Sequence, residues 1–514
     1  VDTLFDVIVQ VHARMGAKQA VSLVESLERL SAEGITVGTV CSGSDMPLCV
    51  PQKLCDFWEA NFNIRPAIAH AFSCDISPMA QQFILRHHAP RYLFGDIAEM
   101  GKDMAFDVRS QELKPVQRVT VLIGGTECDN FSGLNFSTRA GEDGCAASGS
   151  GKSGTTLKGY MGYVERHLPL LALWENSDKT KAVDIEYMCQ FLARLNYVVT
   201  WEKVDASDFS PQSRTRIYLI AWHSRHLAHL RELRTKDLTA EERGQIAAES
   251  WLPSVFQQLH SFAGIGGKLE SFLLPDSHEE VREWRAHRMQ TKTEAADKKG
   301  SAKAGADQKY EDEHLELFSA AGLKWPPNYK DAGLEDVVAH LPRRFAECVM
   351  YRDSRIELKK ESSERIIDLN SRLDWQRVGP PVPCLVCTGR PWLVKRQRDL
   401  TGAEAMNLQG YMYQDLMFGP TFRMSNAELF HVAGNAMSGF ILAPLFASLF
   451  SKATLWFDGF TRGLGDTVDA PDSDVDIDGD VVISSGSERD EGADLDEESD
   501  LPAVSDSGSE GPEI

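Results

Sequence analysis

Gly124-Gly125-Thr126-Glu127-Cys128 sets a cysteine on a glycine-flanked loop directly behind the apolar run Val119–Ile123. A thiolate is already a good nucleophile, so a cysteine at a strand end is a candidate for covalent catalysis. Trp174-Glu175-Asn176 ends another apolar run. Burial beside a tryptophan favours the protonated carboxyl, which suits Glu175 to proton donation. In Ser210-Pro211-Gln212-Ser213-Arg214-Thr215-Arg216 the two arginines alternate. On a strand they project to one face, where they can hold a carboxylate or a polarised carbonyl.

A second set of residues suits a nucleoside. Cys41-Ser42-Gly43-Ser44-Asp45 is a small turn behind Ile35–Val40, and Gly43 lets the backbone approach a ligand. Asp75 follows Ile68–Phe72 and can accept hydrogen bonds from ribose hydroxyls. Gly95-Asp96-Ile97 follows Tyr92–Phe94 and places an acid where an adenine amine could meet it. Each acid alone is more often a helix cap. Together, three consecutive strand ends make a better adenosine pocket than any one of them.

The elements that must position these groups are legible as alternation. Residues 3 to 31 read as one helix, with Leu23, Leu27 and Leu30 on one face. Seven apolar runs follow, separated by helical or polar stretches: Ile35–Val40, Ile68–Phe72, Tyr92–Phe94, Val119–Ile123, Leu170–Trp174, Tyr197–Trp201 and Arg216–Trp222. That pattern predicts an α/β fold with a doubly wound, mostly parallel, Rossmann-like sheet. Its ligands bind beyond the carboxyl ends of the strands. Residues 227–248 read as a charged helix and 291–309 as a polar, solvated loop. The expected division is an N-terminal helix (1–34), a first catalytic part (35–224), an insertion (225–395), a returning catalytic part (396–455) and a disordered acidic tail (464–514).

Charge is the one feature that argues against nucleic acid, which usually meets a basic footprint. The 514 residues carry a net charge of -22. From Leu464 onward there are 18 Asp+Glu and one Arg, so the tail holds -17 of it and the other 463 residues only -5. The body is therefore near neutral. The tail is too poor in apolar residues to offset its ordering entropy. The ten cysteines are irregularly spaced, with one CxxC pair at Cys384 and Cys387. They read as reduced thiols of an intracellular chain, with no metal site. No apolar stretch reaches the roughly 20 residues of a membrane span. Val1 stands where an initiator Met would, which reads as a fragment or processed chain.

In this order the motifs resemble the cytosine-5 methyltransferases. The chain has CSGSD, FSCDI, FGDI, GGTECDNFS, WENS, PQSRTR and, late, AGNAM. It also has Arg398-Asp399-Leu400-Thr401 with Glu404 and Leu408-Gln409-Gly410-Tyr411. The resemblance covers roughly residues 35–222 and 396–447, with 225–395 as target-recognition region. It implies methyl transfer from S-adenosylmethionine to C5 of cytosine in DNA, with the base flipped out of the duplex. Cys128 would attack C6, Glu175 would act at N3, and Arg216 with Arg214 would hold O2 and orient the glutamate. Asp75 would hold the cofactor ribose and Asp96 its adenine edge. Cys41, Gly43, Asp45, Ile76, Ile97, Asn435 and Met437 would complete the cofactor pocket. A nuclear location is implied too, with RNA as the alternative substrate and a non-catalytic nucleic-acid-binding module as another reading.

Four positions depart from the family pattern. Glu127 replaces a proline, Asp129 a glutamine, Cys41 an aromatic residue, and WENS ends in Ser177. A carboxylate beside the thiol is expected to raise its pKa. A divergent fungal and algal subgroup, joined to an SNF2-type helicase, is similar in also lacking that proline. Two runs are decoys. Ser148-Gly149-Ser150-Gly151-Lys152-Ser153 lacks the first glycine and the preceding strand of a phosphate loop, and reads as a mobile loop over the base. Phe262-Ala263-Gly264-Ile265-Gly266-Gly267 reads as a glycine-rich turn. The basic clusters Arg343-Arg344, Lys359-Lys360 and Lys395-Arg396-Gln397-Arg398 are candidates for phosphate contact.

Overall fold

The computed structural model describes residues 3–128, 145–223, 254–297, 304–325, 327–328, 330, 341, 343–354, 364–370, 382–387, 389–416 and 424–455. The acidic tail, Asp129, the 227–248 helix and Lys359-Lys360 lie outside these residues.

The N-terminal segment is two helices, α1 (Thr3–Arg14) and α2 (Ala17–Glu33). The expected single helix breaks at Gly16, whose amide is capped by the Gln19 side chain at 3.0 Å. Then β1 (Ile35–Val40), α3 (Met46–Phe62), β2 (Ile68–Cys74), α4 (Pro78–His87) and β3 (Tyr92–Phe94) alternate. A hairpin of β4 (Met104–Asp107) and β5 (Glu112–Pro115) precedes β6 (Val121–Gly124). After α5 (Cys145–Ser148) come α6 (Gly151–His167), β7 (Leu171–Ser177), α7 (Ala182–Arg194), β8 (Tyr197–Asp205) and β9 (Thr215–His223).

Among the described residues the main sheet has nine strands, ordered β5-β4-β3-β2-β1-β6-β7-β9-β8. All seven expected runs are in it. The sequence reading missed the edge hairpin, whose four-residue strands carry polar residues and expose Met104, Phe106 and Leu113. The centre is parallel, whereas β3–β4, β4–β5, β7–β9 and β8–β9 are antiparallel.

Strand alternation divides the apolar core into two layers. Leu171 and Leu173 of β7 and Tyr218, Ile220 and Trp222 of β9 join one layer with Leu27, Trp58 and Phe440. Ala172, Trp174, Ile217, Leu219 and Ala221 join the other with Tyr160, Tyr163 and Met188. A sheet buried on both faces explains why these strands read as continuous apolar runs.

Beyond β9 comes helix α8 (residues 254–261), which packs onto the body of the protein. Val255, Phe256, Leu259 and Phe262 lie in its main core. The insertion proper holds α9 (Glu279–Asp297), α10 (Ala304–Ala320) and α11 (Arg343–Ser354). It also holds a three-stranded sheet of β10 (Ile366–Asp368), β11 (Pro391–Leu393) and β12 (Arg398–Asp399). Residues 291–297 and 304–309 are thus helical where a loop was expected, and the insertion's last strand lies past residue 395. The chain returns through α12 (Gly402–Asn407), α13 (Asn426–Asn435) and α14 (Gly439–Phe450), the last buried along its whole length. No single described helix is long and apolar enough to cross a membrane.

Candidate active site

Strand β1 lies between β2 and β6, and the strand order reverses direction there, which opens a crevice at the carboxyl ends. The registers bring the motifs to its edge. Val40 pairs with Cys74 and with Gly124, Cys74 with Phe94, and Gly124 with Trp174. Residues 41–45, 75–76, 95–97, 125–128 and 175 therefore share one rim. Antiparallel β9 pairs Arg216 with Ser177, so its first residues reach the same rim.

One side of the rim carries Gly43, Asp75, Ile76 and Asp96. Gly43 has φ +64°, and a Cβ there would stand 2.9 Å from the Asn435 carbonyl oxygen. Glycine is thus required both by conformation and by the approach of α13. Asp75 accepts from the Gly43 amide at 3.1 Å and the Ser77 amide at 2.9 Å. Ile76 is 74% exposed, an apolar surface beside that acid, which suits it to the stacking an aromatic residue would otherwise provide. Asp96 is exposed and caps the following turn through the Ala98 amide at 2.8 Å.

The structure places four further expected cofactor residues, Asp45, Ile97, Met437 and Cys41, as follows. Asp45 is fully buried and accepts from the hydroxyls of Thr39 (2.7 Å), Ser42 and Ser73. It braces the turn from behind because its carboxylate is saturated by its own strands. The side chain of Ile97 is buried, and its residue packs against Gly159 of α6. Met437 is buried, with its methyl near Gly125, where a Cβ would stand 2.7 Å away. Cys41 takes a left-handed φ of 49°, and its amide donates to Cys74 O at 2.7 Å.

Burial pushes Asp75 up to about 7, against the lowering effect of its two amide donors. A ribose hydroxyl donates best to the ionised carboxylate. Affinity for S-adenosylmethionine is therefore expected to rise roughly tenfold from pH 6 to pH 8, as measured by calorimetric titration. Asp75→Asn should flatten that dependence. The stability linkage runs the other way: with the folded pKa raised, this group favours folding at low pH, and its contribution is lost as pH rises through about 7.

On the reaction side, Cys128 is partly buried at the end of the loop. Burial raises its pKa most; Arg216 lowers it, while Glu127 and Glu175 raise it further. The effect expected of Glu127 is present, but desolvation outweighs it. Glu175 is 7% exposed, and Arg216 Nε lies 3.3 Å from its Oε1. Arg214 differs from the expectation. Its guanidinium donates to the carbonyls of Ala436 (2.8 Å), Gly434 (3.4 Å) and Leu385 (3.5 Å). It ties β9 to the returning chain, and Arg216 is the arginine that meets Glu175.

The sequence reading passed over Thr126. Its hydroxyl accepts from Trp174 Nε1 at 2.9 Å and from Asn176 Nδ2 at 3.0 Å. Trp174 and Asn176 point to the face opposite Glu175, so this clamp fixes the loop against β7 while leaving the carboxyl on the rim. Tyr411 donates its hydroxyl to Ser44 O, which ties the late motif to the first turn. Asn435 is exposed; its Oδ1 accepts from the Cys387 thiol at 2.8 Å.

The remaining expectations resolve simply. Of the expected mobile loop Ser148–Ser153, Ser148 ends α5 and Gly151, Lys152 and Ser153 open α6. The Phe262–Gly267 turn follows a helix, and Gly264 N donates to Asp208 O at 2.6 Å, so it is a packing turn. Arg398 cannot reach phosphate: it is 4% exposed and held by Glu404 at 2.7 and 2.9 Å and by Asp276 at 2.8 Å.

The profile of the C-5 cytosine-specific DNA methylase family matches residues 62–442. The chain is 25% identical over 441 residues to the DNA (cytosine-5-)-methyltransferase DMT5 of Cryptococcus neoformans var. grubii, covering 81% of this chain and 17% of that protein. It is 23% identical over 518 residues to the DMT5 of Verticillium dahliae, covering 87% and 21%. The chain thus spans about a fifth of the length of these relatives. Among solved structures, the Entamoeba histolytica methyltransferase EhMeth aligns with a TM-score of 0.40 at 11% identity, over 81% of this chain and 98% of that one.

Proposed function

The chain belongs to the C-5 cytosine-specific DNA methylase family, and from that premise we propose that it methylates C5 of cytosine in DNA through a covalent bond between Cys128 and C6. S-adenosylmethionine, when bound, supplies the methyl group. Gly43, Asp75, Ile76 and Asp96 would hold it. The observation that supports this reading most is the meeting of Cys128, Glu175 and Arg216 at the ends of three strands, with the Arg216–Glu175 pair at 3.3 Å.

A flipped cytosine presents C6 to Cys128, N3 to Glu175 and O2 to Arg216. Thiolate attack at C6 pushes electrons toward N3, where the Glu175 carboxyl gives up its proton. The guanidinium of Arg216 stabilises O2 and keeps the carboxyl aimed. The resulting enamine makes C5 nucleophilic. Once C5 carries the methyl group, a base takes the C5 proton, the C5–C6 double bond re-forms as the Cys128–C6 bond breaks, Cys128 leaves as the thiolate, and N3 returns its proton to Glu175.

Duplex DNA carrying 5-fluorocytosine tests the reading, because fluorine cannot leave C5 as a proton does. Incubation with labelled S-adenosylmethionine is expected to leave a labelled protein–DNA adduct resistant to denaturation. Absence of any adduct across varied sequence contexts would reject the reaction, and an adduct on RNA alone would reassign the substrate. One observation favours a weakened module instead: burial and Glu127 both raise the Cys128 pKa. A nuclear location follows from a DNA substrate. The -17 tail would compete with phosphates for the protein or attract basic nuclear partners such as histones.

A further inference from the structure

Residues 382–387 cross to the site from the insertion side. Val382 pairs with Gln212 in a parallel bridge, its amide donating to Pro211 O at 3.3 Å and its carbonyl accepting from Ser213 N at 2.9 Å. This fixes the segment beside the two arginines. Two residues on, one sulfur meets both guanidiniums: Arg214 Nη1 lies 3.7 Å and Arg216 Nη2 3.6 Å from Cys384 Sγ. Cys387 then reaches Asn435 at 2.8 Å. Gly434 leaves room for this crossing, since a Cβ there would stand 2.5 Å from the Cys387 amide nitrogen.

We propose that Cys384 is a positioning residue for methyl transfer, its sulfur holding the Arg216 guanidinium in the pose that carries Glu175 and faces the base. The inference rests on the proposed reaction and adds a residue from the insertion to its machinery.

The electrostatic argument is direct. Two guanidiniums that share one neighbour repel each other, and burial strengthens that repulsion. Arg214 is otherwise met by carbonyl dipoles, and Glu175 is the carboxylate in ion contact with Arg216. A sulfur shifted toward thiolate by the two arginines eases the conflict, and as a thiol it donates to Leu385 O at 3.6 Å. Burial would raise the Cys384 pKa, but Arg216 and Arg214 outweigh it, and the net displacement is downward. The neighbouring thiol Cys387 feels the lowering effect of Arg214, with Cys128 and Glu127 opposing it, and burial, the largest cause, pushes it up to about 11. The two thiols of one CxxC thus have opposite environments. A neutral hydroxyl at 384 would not supply the charge, whereas a carboxylate would.

The test has two readouts on the whole chain. First, iodoacetamide alkylation of Cys384, followed by peptide mass spectrometry, is expected to titrate below the ordinary thiol value of 9.0. In Arg216→Gln the titration should move upward, with a smaller thiolate fraction and slower alkylation at fixed pH. Second, Cys384→Ser and Cys384→Ala should lower kcat roughly tenfold with KM for DNA little changed, and Cys384→Asp should recover most of the loss. Recovery by aspartate separates positioning from a folding defect. A Cys384 that titrates at or above 9.0, or an active enzyme indifferent to Cys384→Ala, overturns the proposal. If no variant and no wild-type protein transfers methyl while the titration still follows Arg216, the reaction itself is wrong. The positioning role then falls with it and only the sulfur–arginine pairing survives.

Discussion

Cys128→Ala is expected to abolish methyl transfer, by at least about 10⁴-fold in kcat, and to leave no adduct on 5-fluorocytosine DNA. In the proposed reaction the thiol forms the one covalent bond that makes C5 nucleophilic, so no neighbouring group would replace it. Cys387 cannot substitute, because burial holds its pKa near 11 and its thiol is engaged by Asn435. Binding of S-adenosylmethionine should be unchanged within a factor of about three, since the proposed nucleoside residues sit behind β1, β2 and β3 and not on the Cys128 loop. Residual turnover above about 1% of wild type would show that the nucleophile lies elsewhere. Burial is the main reason the free thiol is held up, so the wild-type rate should still be rising with pH above neutrality. Relieving one of the lesser raising charges, by Glu127→Gln, would shift that profile toward lower pH.

Glu175→Gln is expected to lower kcat by about 10²- to 10⁴-fold, the usual range for a lost proton donor. Glutamine preserves shape and can turn its carbonyl toward Arg216 Nε, now 3.3 Å from Oε1. It can also donate a hydrogen bond to N3, so affinity for DNA should change little. What it lacks is a transferable proton. The fold should tolerate the change less well than a surface one, because removing one partner of a buried ion pair leaves the other uncompensated, at a cost of about 3–5 kcal/mol in full burial. The Cys384 contact to Arg216 reduces that cost, and thermal unfolding of Glu175→Gln alone and with Cys384→Ala would reveal the coupling. A Glu175→Gln enzyme within threefold of wild type would remove Glu175 from the proton step.

Some of this was legible without coordinates, and the successes share a cause. The inner runs in β1, β6, β7 and β9 are buried on both faces, so local composition alone marks them as strands. Gly43, Asp75 and Cys128 sit a few residues past apolar runs, and the doubly wound fold carries the carboxyl ends of its parallel strands to one rim. The edge hairpin escaped because Glu112–Pro115 has neither an apolar run nor full burial. The break at Gly16 escaped because a capped glycine differs little in sequence from one tolerated within a helix.

The order of motifs along the chain determined the family, the strand ends and the chemical types at the rim, since those depend on residues near one another in sequence. Which partner each side chain takes depends on segments that meet only in the folded chain. Asp45 and Asp75 follow neighbouring strands with the same kind of acid. Three hydroxyls bury the first, and the second stays beside an exposed Ile76. Arg214 and Arg216 share a face, yet carbonyls from the returning chain claim one and Glu175 the other. Cys384, 168 residues from Arg216, read as an ordinary thiol until the fold set it between two guanidiniums. Hydrogen bonds and charge pairs act over a few ångströms in space, and the spacing of residues along a chain does not encode those distances.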